Sequence, residues 1–179
     1  MAQKDPFHPP DDDARALARD LIANTSHAAL AVLQNSAPVV TRIALATTPD
    51  GAPVTLVSDL SSHTGALRAN PICSLLVGEP GEKGDPLTYP RLTLQATAHF
   101  VPRESAEHQV LRNHYLRLRP KAKLYIDFAD FNLVRFEVET GLLNGGFGRA
   151  YKLKASDICS QSVRRITSNI APHLRRPNP

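Results

Sequence analysis

The sequence predicts a mainly β domain of the α+β class, in which six or seven antiparallel strands close wholly or partly into a split barrel with helices at its ends. Three observations carry this. Short runs rich in branched and small apolar residues recur along the chain, separated by turn signals such as Pro49-Asp50-Gly51. Helical periodicity interrupts these runs without the regular strand–helix alternation of a parallel sheet, and neither a GxGxxG nor a P-loop motif is present. The chain of 179 residues, with 42% hydrophobic and 21% charged content, suits one globular domain able to bury a substantial core.

The elements follow in order. Residues 13–24 carry Ala14, Leu17, Ala18, Leu21 and Ile22 at helical spacing behind a run of aspartates that suits the positive end of a helix. Ala28–Leu33 and Val39–Thr48 read as strands, and the Pro49-Asp50-Gly51 turn pairs the second of them with Pro53–Ser58 as a hairpin. Ser61–Asn70 is a short helix stopped by Pro71, with Ser62 as a cap. The nearly continuous apolar run Ile72–Val77 is expected to be a strand covered on both faces. A Gly/Pro-rich loop over Gly78–Pro86 leads to an alternating strand, Tyr89–Val101, and then to a helix over Arg103–Leu118 closed by Pro120. Lys121–Phe128 is a short helix or turn, Asn132–Thr140 a strand with clean alternation, and Leu142–Leu153 its returning partner.

Charge and cysteine content exclude several classes. The net charge of +4 is concentrated in Arg164, Arg165, Arg175 and Arg176, so a near-neutral body over residues 13–160 is flanked by a disordered arm, 1–12, and a basic, proline-containing tail, 161–179. That tail reads as a solvated segment, and nucleic acid is an unlikely partner because no aromatic interleaving accompanies it. Cys73 and Cys159 lack paired metal-ligand spacing, and Cys73 reads as a small core residue. No apolar run is long enough to span a bilayer, so no membrane partner is expected, and the N-terminus lacks the apolar core of a secretory signal, which implies a cytoplasmic protein. GxSxG is absent, and no serine, histidine and aspartate are joined into a triad.

The densest segment is Asn144-Gly145-Gly146-Phe147-Gly148-Arg149-Ala150-Tyr151. Its glycines suit either a close approach of backbone to ligand or a plain turn between strands, and Arg149 offers a forked donor for an anion. Upstream, Thr41-Arg42-Ile43-Ala44-Leu45, the Pro49-Asp50-Gly51 turn, Thr55-Leu56-Val57-Ser58 and Ser61-Ser62-His63-Thr64 opening a helix that ends at Asn70-Pro71 resemble the FMN-binding split barrel of the pyridoxamine 5′-phosphate oxidase superfamily. Tyr89–Ala96 and Gly145–Ala150 resemble its haem-utilisation branch, and the likeness covers roughly residues 13–155. The arginine- and tryptophan-containing substrate signature of the oxidase itself is missing, since the chain has no Trp.

The resemblance implies a flavin site at a homodimer interface. Arg42, Ile43, Ala44 and Leu45 would run along the phosphate and isoalloxazine edge, while Ser58, Ser62, His63 and Thr64 would cradle the phosphate or ribityl chain. The commonest oxidase form has basic residues where this chain has His63-Thr64. Arg91 would reach the cofactor from the second subunit, and Arg149 would bind or stabilise charge. Plainer readings stand beside these: an exposed ion pair for Arg42, a turn and a cap for Ser58 and Ser62, and a solvated edge position for Arg91. The implied activity is an FMN-dependent oxidoreductase drawing on a small-molecule substrate or electron donor. The alternatives are haem binding with oxidative degradation, or flavin or haem storage and sensing without turnover. For a haem iron, His173 in the tail is the candidate ligand, whereas His99 reads as a hydrogen-bonded structural residue and His108 and His114 as surface residues of a helix.

Overall fold

A computed structural model describes residues 6–159, so His173 and the arginines of the tail lie outside the described residues. The elements are α1 (Asp12–Asn24), β1 (His27–Gln34), β2 (Ala37–Ala44), β3 (Ala46–Thr47), β4 (Pro53–Ser58), α2 (Ser62–Ala69), β5 (Ile72–Val77), β6 (Arg91–Phe100), α3 (Ala106–Leu118), β7 (Phe131–Asn144), β8 (Ala150–Lys154) and α4 (Ala155–Ile158). Single 3₁₀ turns cover Pro86–Thr88 and Pro120–Leu124. The strands form one eight-stranded sheet in the order β2-β1-β5-β6-β7-β4-β3, with β8 also on β7, and every named strand pairing is antiparallel.

The strand count exceeds the expected number because one run divides into two strands. Val39–Thr48 becomes β2 and β3, since only Ala46 and Thr47 pair with β4 across the Pro49-Asp50-Gly51 turn, while β2 pairs along its whole length with β1. The hairpin between β1 and β2 turns on Asn35 and Ser36, whose φ values of 51° and 64° are those of a two-residue loop matched to strand twist. The stretch Leu142–Leu153 does not add to the count, since its first residues extend β7 and the rest form β8 beyond the glycine turn.

Local chemistry explains the helices. In α1, Asp11 caps the first turn by accepting from the Ala14 amide at 2.7 Å, and Ala14, Ala18 and Ile22 form the buried stripe. Arg15 Nε donates to Asp157 at 2.8 Å and Arg19 to the Asp157 carbonyl at 3.0 Å, which ties α1 to α4 and holds the Asp157 carboxyl below the usual carboxylate range. Ser61, one residue before the expected Ser62, occupies the cap position of α2. The core has two parts. Leu30, Leu45, Leu75, Leu92, Leu94 and Phe136 belong to the larger cluster under α1, and Val54, Leu111, Tyr115, Ile126 and Leu133 to a smaller one under α3. Cys73 is a buried core residue, as its sequence context implies, and burial pushes its thiol up to about 12.

Three expectations need correction. Among the described residues β5 is not covered on both faces: Cys73, Leu75 and Val77 point inward, but Ile72 and Leu76 are exposed, because no second layer of the described residues lies on that side of the sheet. The described part of the N-terminal arm is placed against the barrel, with the His8 amide donating to the Ala150 carbonyl at 2.8 Å and its ring packing on Tyr151. His108 is not a surface residue. It is only 5% exposed, because α3 turns it toward the smaller cluster beside Leu111, and its Nδ1 has no hydrogen-bond partner among the described residues.

Burial, with Arg103 and Arg112 nearby, lowers the His108 pKa from 6.5, against weaker opposing effects of Asp127 and Glu104. The unfolded chain therefore takes up this proton first, so its contribution to stability is complete above about pH 6.5 and declines as pH falls below it. Urea unfolding of the protein and of H108L between pH 7 and pH 5 is expected to give a steeper decline for the unsubstituted chain. Parallel slopes would remove His108 as the cause.

Candidate functional site

The site is built where the barrel splits between β2 and β4. Thr55 Oγ1 donates to the Ala44 carbonyl at 2.6 Å, pinning the end of β2 to β4. Because β2 leads directly into β3, and β3 is antiparallel to β4, stepping back from Ala44 to Arg42 and forward from Thr55 to Ser58 moves the same way along this seam. Arg42 on β2 and Ser58 on β4 thus lie on the two strands that flank this seam.

Polar contacts organise the β4 side. Ser58 Oγ donates to Asp130 at 2.6 Å and accepts from the Leu60 amide at 3.1 Å, and Thr64 Oγ1 donates to the Ser58 carbonyl at 2.7 Å. Thr64 is buried, so its hydroxyl locks α2 to the strand end and is not open to a ligand. Asp59 accepts from Arg68 at 2.8 Å and Asn132 at 3.0 Å, which holds its carboxyl low. Arg68 also stacks over Phe100, 4.1 Å from the ring centroid. The first turn of α2 has neither an acidic residue nor a side-chain cap from Ser61, so its positive end is uncompensated. Ser62 is exposed there, and half-buried His63 has its pKa lowered by burial, which favours a neutral imidazole near pH 7.

The β2 side presents a different chemistry. Arg42 is exposed and has no side-chain hydrogen bond or ion pair among the described residues. It lies in a cross-sheet row with Ala29 and Leu76, and the next row carries Val40, Ala31 and Ser74. Large apolar residues on this outer face are strongly exposed: Val40 by 66%, Ile72 by 65%, Leu33 by 45% and Leu76 by 42%. Ile43 and Leu45 point into the core, so only their backbone could touch a ligand, whereas Ala44 faces outward.

The other expected residues do not gather here within one chain. Arg91 begins β6 and donates to the Leu87 carbonyl at 2.9 Å. The strand order puts three inter-strand spacings, about 14 Å, between β2 and β6. Arg149 is farther still, on the turn from β7 to β8, where Gly146 and Gly148 take φ values of 112° and 72° and Arg149 N donates to the Gly146 carbonyl at 3.1 Å. The glycine-rich segment is therefore a strand-joining turn, and the Arg149 guanidinium is engaged by the Tyr151 phenol. His99 bonds Glu137 at 3.1 Å, in line with its expected role, and His114 accepts from Arg117 at 3.0 Å. Among the described residues no three metal-ligating side chains are grouped to hold an ion. Asp130 and Asn132 escaped the sequence reading because they reach Ser58 and Asp59 only through the β4–β7 pairing.

An antiparallel barrel opened along one seam is a split barrel, a fold shared with a Listeria innocua structure named for pyridoxamine 5′-phosphate oxidase, with a TM-score of 0.54 at 15% identity. Within that class, the chain belongs to the CREG β-barrel family, which matches residues 9–159. Proteins named for haem are among those it resembles. It is 34% identical over 132 residues to the chloroplast haem oxygenase HOZ of Arabidopsis thaliana, covering 68% of this chain and 39% of the relative. It is 31% identical over 105 residues to the haem oxygenase HutZ of Vibrio cholerae, covering 58% of this chain and 60% of HutZ. A solved haem-binding protein from Mycobacterium smegmatis superposes with a TM-score of 0.74 at 29% identity, over 83% of this chain and 60% of that one. The chain thus spans less than two thirds of the curated relatives it matches.

On the β2 side, an apolar wall of Val40, Ala29 and Leu76 lies beside Arg42, a cation without a partner among the described residues.

Proposed function

We propose that this protein binds haem against the outer sheet face beside Arg42 and acts in oxidative haem degradation as a homodimer. The observation that carries the reading is the unpaired, exposed Arg42 set among apolar side chains, in a chain whose relatives are named for haem. Haem, when bound, supplies the oxidative chemistry. The protein's part is to hold and shield it. Arg42 takes a propionate, Val40 and Leu76 keep water from the ring, and His173 of the tail is the candidate iron ligand. A second copy covers Leu33, Val40, Ile72 and Leu76, and it supplies Arg91, which one chain alone holds too far from Arg42. Electrons come from a reduced nicotinamide or another donor.

FMN binding is the second reading, favoured by the uncapped start of α2, where Ser62 and the first-turn amides suit a phosphate. Visible titrations with haemin and with FMN, on protein whose mass is known from light scattering, separate the two. A saturable Soret shift in a dimer, without a flavin response, supports the haem reading. A flavin response alone replaces it with an FMN-dependent oxidoreductase, and a monomer removes the interface. R42A is expected to weaken the bound ligand about tenfold or more, the scale of one lost charge-assisted contact. Unchanged affinity would take Arg42 out of the site.

A further inference from the structure

The far end of α3 and the 3₁₀ turn after it form a surface that the cofactor site does not use. Residues 111–126 contain no Asp or Glu, yet they carry Arg112, Arg117, Arg119, Lys121 and Lys123. Only Arg112 finds a carboxylate, bonding Asp127 through Nε at 2.7 Å and Nη2 at 2.5 Å. Arg119 is spent on the Leu118 and Thr25 carbonyls and Arg117 on His114, so their charges remain uncompensated, and Lys121 and Lys123 are exposed without partners among the described residues. The acidic residue of α3, Glu107, lies at its opposite end, about 15 Å away along the helix axis.

The same knuckle presents apolar side chains to solvent. Leu124 is 78% exposed, and Leu118 and Phe128 also stand out, although the turn is held firmly from below by buried Ala122, Tyr115 and Ile126. A firmly anchored turn that offers cations around a protruding leucine matches an anionic bilayer, in which lipid phosphates meet the cations and the leucine enters the headgroup boundary. Nucleic acid would use the cations but gain little from an aliphatic tip.

We infer that the surface formed by Arg117, Leu118, Lys121, Lys123 and Leu124 docks the protein peripherally on anionic lipid. This mode needs no spanning segment, and no helix of the described residues is long and apolar enough to cross a membrane.

The test is co-sedimentation of the full chain with phosphatidylcholine vesicles prepared with and without phosphatidylglycerol. Binding is expected only to the anionic vesicles and weakens as salt rises. K121E/K123E is expected to reduce binding by at least about tenfold, and L124S by several-fold to about tenfold, with circular dichroism unchanged. No binding, or equal binding to neutral vesicles, overturns the inference. Binding that survives K121E/K123E assigns it to the basic tail instead and likewise overturns it. Retardation of duplex DNA that depends on the same lysines, with no effect of L124S on vesicle binding, makes the surface a nucleic-acid contact and also overturns it.

Discussion

Truncating Phe136 to alanine is expected to destabilise the protein by about 3–5 kcal/mol, the largest loss from any single side-chain deletion in the larger cluster. Phe136 lies on β7 with no exposed surface, opposite Ala98 of β6, and its ring fills the space that this small partner leaves beneath the sheet. The surrounding leucines are carried by different strands, so the cavity can close only if the sheet itself deforms. For a chain of this size the loss corresponds to a fall in Tm of roughly 10 °C or more, and F136L should recover most of it. Urea unfolding followed by far-ultraviolet circular dichroism measures both. A loss below about 1 kcal/mol for F136A would mean that β6 and β7 repack freely, contrary to a core shared between strands.

That core was readable in the chain wherever the pattern is local. The helical spacing of Ala14, Ala18 and Ile22 identifies α1, and the Asp11 cap forms where the aspartate run lies. The alternation of Leu92, Leu94, Ala96 and Ala98 identifies the inward face of β6. What failed is non-local. The apolar run of β5 does not reveal that one of its faces lacks a second layer among the described residues, because that depends on which strands and helices pack around it. His108 has the sequence neighbours of a surface residue, and only the docking of α3 on Leu133 and Val54 buries it.

The site divides along the same line. Ser58, Ser62 and His63 are near one another in sequence, at the passage from β4 into α2, and Arg42 lies on β2, which leads through β3 into β4; that order is written in the chain. Arg91 and Arg149 were grouped with them by resemblance, yet strand order carries both across the sheet. For Arg91 the proposed second copy would restore the proximity. Thr64 was expected to be a ligand, but its hydroxyl is used to fix the helix to the strand. A hydroxyl at a strand–helix junction can serve either end, and the sequence alone does not choose.

Substituting Gly78 with alanine is the sharpest test of that proximity. Gly78 directly follows β5 with a φ of 101°, a conformation that side chains rarely adopt, and an added Cβ would clash with the Pro90 carbonyl oxygen and stand 2.8 Å from the Arg91 Cα. Both neighbours are backbone, so neither can swing aside. The expected cost is about 2–4 kcal/mol, combining conformational strain with displacement of the start of β6. G51A supplies the comparison, because Gly51 has a similar φ of 86° with nothing within 4 Å of the added Cβ, and it should cost only about 1–2 kcal/mol. The difference between the two isolates the clash, which acts on the segment that aims Arg91. If Arg91 completes the pocket of a second copy, G78A should weaken haemin binding several-fold at temperatures where it remains folded and dimeric, and G51A should leave affinity unchanged. Equal affinity in G78A, G51A and the unsubstituted protein would take Arg91 out of the pocket and leave the ligand to Arg42 and the apolar face alone.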